Sequence, residues 1–455
     1  MKNFSARTLI ALAATAAMGG ALANPAKVDA DLQRSELRYV ASEVLVQFRA
    51  GHAPAAREAA LAALGAHSVQ RLRAAADGEL HRVQLPQGVA VPDAIRHLRA
   101  QGAVRFVEPN WVYTHQVGPN DSYYQDGSLW GVYGDASPGQ QNPYGTQAAE
   151  AWAANKKCSN VMVAIIDEGV MTNHPDTEAN IWHNPLEIAG NGIDDDGNGF
   201  IDDVTGWDFE NNDASTFDGV GDDHGTHVSG TIGAVRNNGI GTAGMCGKVK
   251  MVNAKFLGAN GGTTANAILA IDYITDLKTR QGLNLVATNN SWGGGGFSQA
   301  LKDAIDRSGA ANILFIAAAG NGNLLGIGQN TDKKPNYPSA YTSDNIIAVA
   351  SITKTGAKSG FSNYGLESVD LGAPGSGIWS TVPKMVNGVL TPSYASYDGT
   401  SMATPHVTGA VAMYASLHPG LTAAQIKAAI LAATVPTASL AGKTVTGGRL
   451  DVSGF

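Results

Sequence analysis

Three residues far apart in the chain carry the side chains that nucleophilic catalysis requires. Ser401 lies in the segment Gly399–Gly409, where a loop runs into a long apolar helix. A serine hydroxyl is a weak nucleophile unless a histidine takes its proton and a further group orients that histidine. His224 opens a helical run of small and apolar residues, and Asp167 directly follows the apolar run Val161–Ile166. The chain therefore holds the three groups of a Ser-His-Asp acyl-transfer site.

The elements around these residues are suited to positioning them. A continuous apolar run such as Val161–Ile166 is typical of a buried parallel strand. Open α/β sheets place their active sites at the carboxyl ends of such strands, which is where Asp167 lies. Apolar residues follow Ser401 at helical spacing, so we expect Ser401 at a helix N-terminus, where main-chain N–H groups favour negative charge.

Strand-like and helical segments alternate through this part of the chain. The predicted strands are Val161–Ile166, Lys250–Phe256, Leu285–Thr288, Ile313–Ala317 and Ile346–Ala350. The predicted helices include Ala265–Lys278 and Gln299–Ser308. Alternation of this kind implies right-handed βαβ crossovers, and it predicts an α/β fold with a doubly wound parallel sheet and flanking helices.

The order Asp, His, Ser and a fourth motif together resemble the subtilisin-like serine proteases. The fourth motif is the apolar run Ile313–Ala319 followed by Gly and Asn321, which matches the oxyanion asparagine of that family. The resemblance implies a serine endopeptidase in which Asp167 orients His224 and His224 deprotonates Ser401. Asn321 and the main-chain N–H of Ser401 would hold the oxyanion.

Two alternative functions are open at this point. A peptide ligase or transamidase on the same scaffold would pass the acyl group to an amine instead of water. A non-catalytic, calcium-binding pseudoprotease would be expected to lack at least one of the four motifs, and none is missing here.

The resemblance also implies a substrate cleft. Ser291, Trp292 and Gly293 would pair with substrate main chain and form one wall of the P1 pocket, and Ala319 and Gly320 would form the other, with Asn336 near the base. Glu168 and Asp222 occupy positions that border the S2 subsite in the family. Two carboxylates there predict a preference for Lys or Arg at P2, unless one or both turn to solvent or calcium neutralises Asp222 or Asp223.

Composition divides the chain into three predicted parts. Residues 1–23 combine Lys2 and Arg7, the apolar run Leu9–Ala17 and a small-x-small site, which indicates a secretory signal peptide. Residues 24–117 hold eleven basic against nine acidic residues, whereas residues 118–455 hold eighteen against thirty. The first of these two parts resembles the small α+β, ferredoxin-like inhibitory propeptide of subtilases, and the second would be the peptidase domain.

This organisation sets expectations for partners and location. We expect a secreted monomer that acts on protein and peptide substrates, with its own propeptide as intramolecular inhibitor and autocleavage between His115 and Asn120. The sequence offers no later segment long and apolar enough to span a bilayer. We expect no nucleic-acid partner.

Oxygen-rich loops suggest structural calcium. The segment 191–203 carries oxygen ligands at alternate positions, and the candidates are Asp194, Asp196, Asn198, the Phe200 carbonyl, Asp202 and Asp203. A merely solvated acidic loop is the alternative. Asp176 with Asn238, Ile240 and Thr242 resembles a second calcium site of the family, but one extra loop residue leaves the ligand register open.

The chain has two cysteines, Cys158 and Cys246. An even count in an exported protein suggests a disulfide, and in the family fold the strands that follow these residues are parallel neighbours. Two unpaired buried thiols are the alternative.

Overall fold

The computed structural model of the chain describes residues 25–32, 39–111, 118–156 and 158–455. They form two compact units that divide between residues 115 and 116. The predicted signal peptide, residues 1–23, and residues 115–117 of the predicted cleavage segment lie outside the described residues. Within those ranges, no helix combines the length and hydropathy that a membrane crossing needs.

The first unit is an antiparallel sheet with helices packed against it. Its elements are α1 Pro25–Asp31, β1 Tyr39–Arg49, α2 Pro54–Ala62, β2 His67–Ala75, β3 Gly78–Gln84, α3 Val91–Arg99 and β4 Val104–Trp111. The strand order is β2-β3-β1-β4, which with the β1-α2-β2-β3-α3-β4 connectivity is the predicted ferredoxin-like arrangement. Helix α3 buries Val91, Ala94, Ile95 and Leu98, the i, i+3, i+4, i+7 stripe of an amphipathic helix.

Strand β2 has no recognisable strand pattern in its sequence, for a physical reason. All nine of its residues are exposed, so its sequence has no apolar alternation of the kind that marks a half-buried strand. Pairing with β3 alone makes it a strand.

The second unit is built on a nine-stranded sheet. Its strands and those of a separate hairpin are β5 Met162–Asp167, β6 Gly206–Asp208, β7 Lys250–Lys255, β8 Leu285–Asn290, β9 Leu314–Ala318, β10 Ile346–Ile352, β11 Leu371–Pro374, β12 Ile378–Val386, β13 Val389–Tyr397, β14 Val435–Pro436 and β15 Gly448–Arg449. Its helices are α4 Ser122–Gln125, α5 Ala148–Ala153, α6 Asp223–Gly233, α7 Thr264–Gln281, α8 Gln299–Ala310, α9 Thr400–Leu417 and α10 Ala423–Ala432.

The sheet order is β14-β15-β11-β10-β9-β8-β5-β7-β6, and every pair except β14–β15 is parallel. The predicted doubly wound parallel sheet is therefore confirmed, and each predicted strand occurs within two residues of its expected bounds. The strand order reverses at β5, because β7 lies on one side of it and the next strand, β8, lies on the other. Such a switch point is where open α/β sheets form their clefts.

Helix α9 is the central helix of this unit. It packs on α6 and on the strands from β8 to β11, and most of its residues are buried. Strand β13 runs into it through Asp398 and Gly399. The segment that carries Ser401 is thus fixed by the hairpin before it and by the core after it.

The structure contains the predicted disulfide between Cys158 and Cys246, with Cα atoms 5.2 Å apart. These residues precede β5 and β7, which pair in parallel from Met162 and Lys250 onward. Both sulfurs are therefore at the same end of two neighbouring strands, and the alternative of two free thiols is excluded.

Candidate active site

The carboxyl end of β5 brings Asp167 against the first turn of α6. Asp167 is 1% exposed, and its Oδ1 accepts hydrogen bonds from His224 Nδ1 at 2.8 Å and from the Glu168 main-chain N–H at 2.9 Å. Its Oδ2 is buried without a partner among the described residues. With Nδ1 engaged in this way, the other ring nitrogen of His224 is the one free to accept a proton.

Electrostatics around His224 favour its protonated form. Burial lowers the pKa of His224, but the neighbouring Asp167, Glu168 and Asp223 carboxylates raise it to about 9 overall. A base of this kind has a strong affinity for a proton, and it loses that proton fully only in alkaline solution.

Ser401 lies in the first turn of α9. Its Oγ donates to the Ser291 carbonyl oxygen at 3.1 Å, and Ser291 Oγ donates to the Ser401 carbonyl oxygen at 2.9 Å. Among the described residues no hydrogen bond joins the Ser401 hydroxyl to His224. The structure thus joins Asp167 to His224 and Ser401 to Ser291. In free enzymes the nucleophile–base hydrogen bond is often long and forms only with substrate.

Asn321, three residues beyond β9, is held by the residue that precedes Ser401. Its Oδ1 accepts both the Thr400 N–H and the Thr400 hydroxyl, each at 2.9 Å. Asn321 Nδ2 and the Ser401 main-chain N lie 3.6 and 3.5 Å from the point where a Cβ on Gly399 would be. Both nitrogens therefore lie close to one point beside Ser401, which is where an oxyanion site needs its donors.

The predicted P1 pocket residues are partly brought together. A Cβ on Gly293 or on Gly320 would come within 3.0 Å of Asn336 Nδ2, so the two glycines lie against the same amide. Trp292 instead packs edge-on against Phe256 and Phe315 in the core. Ala319 is fully buried, with its N–H bound to the Val349 carbonyl and its carbonyl bound to Asn363 Nδ2, so it does not form the exposed wall that was predicted.

The two predicted P2 carboxylates do not share a pocket. Asp222 is 4% exposed; its Oδ1 accepts from Lys255 Nζ at 3.0 Å, and its Oδ2 accepts from the Asp218 N–H at 2.6 Å. Glu168 Oε1 accepts from the His224 N–H at 2.5 Å. This differs from the expectation for Asp222, which turns inward because Lys255 is buried and requires an anion.

Lys255 is a residue that the sequence analysis missed. Its side chain is 1% exposed, and its ammonium also donates to the carbonyl oxygens of Glu168 at 2.5 Å and Leu257 at 3.1 Å. Burial lowers its pKa, but the Asp222, Asp208 and Asp218 carboxylates raise it above the usual range overall. The sequence feature that could have indicated a buried lysine is its position at the end of the otherwise uncharged run Met251–Ala254.

The loop after Trp182 gathers part of the predicted calcium ligands. Asp194 and Asp196 place carboxylate oxygens within 4.8 Å of each other and of Glu187, which the sequence analysis did not name. The Asp202 carboxylate turns away and accepts the Asn191 and Gly192 N–H groups at 3.2 and 3.0 Å. Oxygen donors from three acids suit a hard cation.

Two further predicted ligands of this loop lie close by. Asp203 is buried and accepts from Tyr273, Asn184 and Asn198 at 2.7 to 2.9 Å. Asn198 Nδ2 also donates to Asp196 Oδ2 at 3.3 Å, so Asp196 and Asp203 are bridged by the same side-chain amide. The role of the Phe200 carbonyl as a ligand stays a prediction.

The second predicted calcium site is assembled around Asp176, which is fully buried. Its oxygens accept from Asn238 Nδ2 at 2.7 Å and from the Thr242 N–H at 2.8 Å. Asp121, also fully buried, accepts the Asn237 and Asn238 N–H groups and was not predicted. Ile240 contributes its N–H to the Asn238 side chain. Burial raises the pKa of Asp176 to about 6. Asp176 and Asp121 are thus two buried acids that accept from N–H groups of the same loop.

Comparisons with known proteins agree with this geometry. The subtilase family profile matches residues 158–449, and the profile of the fervidolysin N-terminal prodomain matches residues 25–110. Thermitase from Thermoactinomyces vulgaris is 36% identical over 314 residues, which are 69% of this chain and 90% of thermitase. An extracellular protease of Xanthomonas campestris is 34% identical over 371 residues, which are 78% of this chain and 59% of that protein.

A solved structure shows the same fold. A protease from Pseudoalteromonas arctica superposes with a TM-score of 0.58 at 27% identity, over 74% of this chain and 98% of that one. The family profile covers more than half of the present chain, and thermitase is matched along most of its length. The chain therefore belongs to the subtilase family and is a subtilisin-like serine protease with an N-terminal prodomain.

Proposed function

We propose that the protein is a secreted serine endopeptidase whose triad is Asp167, His224 and Ser401, with Asn321 as an oxyanion donor. The observation that carries this proposal is the 2.8 Å hydrogen bond from His224 Nδ1 to the buried Asp167, at the switch point of the sheet. It fixes the tautomer in which Nε2 can accept the proton of an attacking hydroxyl.

The reaction follows from these contacts. Ser401 Oγ leaves the Ser291 carbonyl, transfers its proton to His224 Nε2 and attacks the substrate carbonyl carbon. The oxygen of the tetrahedral intermediate then takes hydrogen bonds from Asn321 Nδ2 and the Ser401 N–H, whose nitrogens both lie beside Gly399. His224 next protonates the leaving amine, and a water repeats the sequence to release the acid.

Substrate binding uses the adjacent main chain. We assign the segment Ser291–Gly293 to pairing with extended substrate, with Gly320 opposite it and Asn336 at the base of the P1 pocket. The proximity of both glycines to Asn336 supports this assignment. An uncharged amide at the base gives a broad preference at P1.

Maturation is the second part of the proposal. Residues 1–23 direct export, residues 24–117 form a prodomain that inhibits the peptidase, and residues 118–455 form the peptidase that cleaves between them. The prodomain profile supports the inhibitor, and the name of the Xanthomonas relative supports an extracellular location.

Calcium is the third part. The residues present fit a hard cation at the first site, since Glu187, Asp194 and Asp196 bring three carboxylates together. At the second site the support is the burial of two acids, Asp176 and Asp121. We propose that Asp194, Asp196 and Glu187 hold one structural ion, with Asn198 and Asp203 beside them. Asp176, Asp121, Asn238 and Thr242 surround the second.

The decisive experiment compares wild type with Ser401→Ala. The variant should be secreted as an unprocessed species about ninety residues longer at its N-terminus, because cleavage of the prodomain needs the nucleophile. N-terminal sequencing and mass measurement read this out in a host without other extracellular proteases. Normal maturation of Ser401→Ala would remove the assignment of the serine.

A further inference from the structure

The N-terminus of α6 lacks a cap from its own N-cap residue. Asp222 is the N-cap, and its side chain makes no capping hydrogen bond because its two oxygens go to Lys255 and to the Asp218 N–H. The first N–H groups of a helix need an acceptor, and Asp is among the residues that normally supply one. In this helix the acceptor comes from a different element.

That acceptor is Glu168, the residue after the end of β5. Its Oε1 takes the His224 main-chain N–H at 2.5 Å, and His224 is the second residue of α6. The main chain of Glu168 is itself held on both sides, because its N–H donates to Asp167 Oδ1 at 2.9 Å and its carbonyl oxygen accepts from Lys255 Nζ at 2.5 Å. One residue thus contacts the acid, the base and the buried ammonium.

We propose that Glu168 is a positioning residue of this protease: its carboxylate caps α6 at His224, ties the base to the strand that carries Asp167, and adds negative charge beside the imidazole. The proposal rests on the proposed function, since it concerns the same base. It replaces the expectation that Glu168 faces the P2 side chain.

The charged groups around Glu168 and His224 come from three elements. Asp167 lies on β5. Asp222, Asp223 and His227 belong to the start of α6, where Asp223 accepts from Tyr397 OH, and Tyr397 stacks on His227 with ring centroids 4.5 Å apart. Lys255 on β7 is already bound by Asp222. The net charge around His224 is therefore negative. The lysine that contacts the Glu168 carbonyl oxygen, Lys255, is already paired with Asp222.

This environment agrees with the titration of both partners. Burial and the charge of Asp167 raise the pKa of Glu168 to about 7. Burial lowers the pKa of His224, but the surrounding carboxylates outweigh this and raise it to about 9 overall. At alkaline pH, where His224 is neutral and active, Glu168 is ionised and a full acceptor. We therefore expect the acidic limb of kcat/KM to lie above the usual histidine range.

Two substitutions separate the hydrogen bond from the charge. Glu168→Gln keeps a carbonyl oxygen that can accept the His224 N–H but removes the charge, and Glu168→Ala removes both. On a peptide with Ala at P2, Glu168→Ala should lose about tenfold or more in kcat with little change in KM, because small misplacement of a catalytic group is costly. Glu168→Gln should stay within about twofold of wild type at its own pH optimum.

The pH profile reads the charge independently of the fold. Glu168→Gln should move the acidic limb of kcat/KM to lower pH by about half a unit to one unit, since a nearby negative charge favours the protonated histidine. Asp223→Asn, which leaves the cap intact, should shift the limb in the same direction. Titration with an active-site phosphonate counts the folded sites in each variant and removes losses through misfolding.

Several results would overturn the inference. Wild-type kcat per titrated site in Glu168→Ala would do so, as would a Glu168→Gln variant as impaired as Glu168→Ala. An acidic limb unmoved in Glu168→Gln would remove the electrostatic part. A selective loss of P2-Lys over P2-Ala cleavage in Glu168→Gln would assign the carboxylate to substrate instead. Failure of the proposed function is distinct, because the wild type itself would then neither cleave the peptide nor take the phosphonate at Ser401.

Discussion

At the scale of single residues, the three histidines of α6 and α9 differ in what surrounds them. His224 faces carboxylates. His227 and His406 are buried, and each ring contacts a main-chain carbonyl oxygen, of Ile378 at 2.8 Å and of Met402 at 2.9 Å. Burial lowers the pKa of His406 to about 4 and that of His227 to about 3. The same side chain therefore has a raised pKa in one place and a lowered pKa in two others.

The titration of His406 predicts acid sensitivity of the fold. Its pKa is depressed in the folded state, so its contribution to stability is complete above about 6.5 and is lost as pH falls toward 4. Over that window the unfolded chain binds a proton that the folded one does not, which is worth roughly 3 kcal/mol. His406→Asn should flatten this part of the pH dependence, because asparagine has no titratable ring. Its amide can still donate to the Met402 carbonyl oxygen in place of Nδ1.

The measurement is the melting temperature between pH 7 and pH 4, in the Ser401→Ala background to prevent autolysis. His418→Asn is the matched control, since His418 follows the same helix and is exposed. If His406→Asn and His418→Asn followed the same pH dependence, the assignment to His406 would be wrong.

At the scale of elements, the disulfide ties together the starts of two strands that the active site depends on. Strand β5 ends in Asp167 and β7 ends in Lys255, and both begin just after a cysteine of the bridge. The bridge spans a sequence separation of 88 residues. A cross-link over a loop of that length restricts the unfolded chain considerably.

Removing both sulfurs should therefore destabilise the peptidase. By the chain-entropy argument Cys158→Ala with Cys246→Ala should lower the free energy of unfolding by about 4–5 kcal/mol, less if the unfolded state retains structure. Thermal unfolding of the Ser401→Ala protein, with and without the double substitution, measures the effect. Added reductant should lower the melting temperature of the bridged protein and leave that of the double variant unchanged, and equal melting of the two proteins without reductant would contradict the argument.

At the scale of the whole molecule, acidic loops of the second unit carry charge that its own cations only partly balance. Asp196 receives Arg280 at 3.1 Å and Gln281 at 2.6 Å, whereas no ion pair to Glu187 or Asp194 occurs among the described residues. A bound cation would remove this repulsion. Binding to the folded state alone adds about 2.7 kcal/mol when the ion is at a hundredfold excess over its Kd.

Chelation should accordingly lower the melting temperature by several degrees and speed autolysis of the active enzyme. Asp194→Ala with Asp196→Ala should reproduce part of the loss and respond less to chelator. Asp195→Ala is the control from the same loop, because Asp195 is exposed and, among the described residues, accepts only from the Ile188 N–H and the Asn191 side chain. Chelator sensitivity that persists unchanged in the double variant would place the ion elsewhere.

The sequence alone determined the sheet and the identity of the chemical groups. Continuous apolar runs such as Val163–Ile166 are typical of a strand buried on both faces, so the strands and the parallel sheet were predictable. The disulfide was predicted from the even cysteine count together with the resemblance to the family fold. Short elements such as Leu371–Pro374 were not, since they become strands only through their neighbours. The same holds for the fully exposed β2.

Only the tertiary structure decided where the charged side chains point. Glu168 and Asp222 read as a pair of substrate-facing acids, but a buried ammonium on β7 draws Asp222 inward and leaves the α6 N-terminus to Glu168. Glu187 likewise joins Asp194 and Asp196 within one loop, and Asp121 accepts from Asn237, which is distant in the chain. Electrostatic and hydrogen-bond partners are set by distances of a few ångströms between separate elements, and a linear pattern of residue types does not encode those distances.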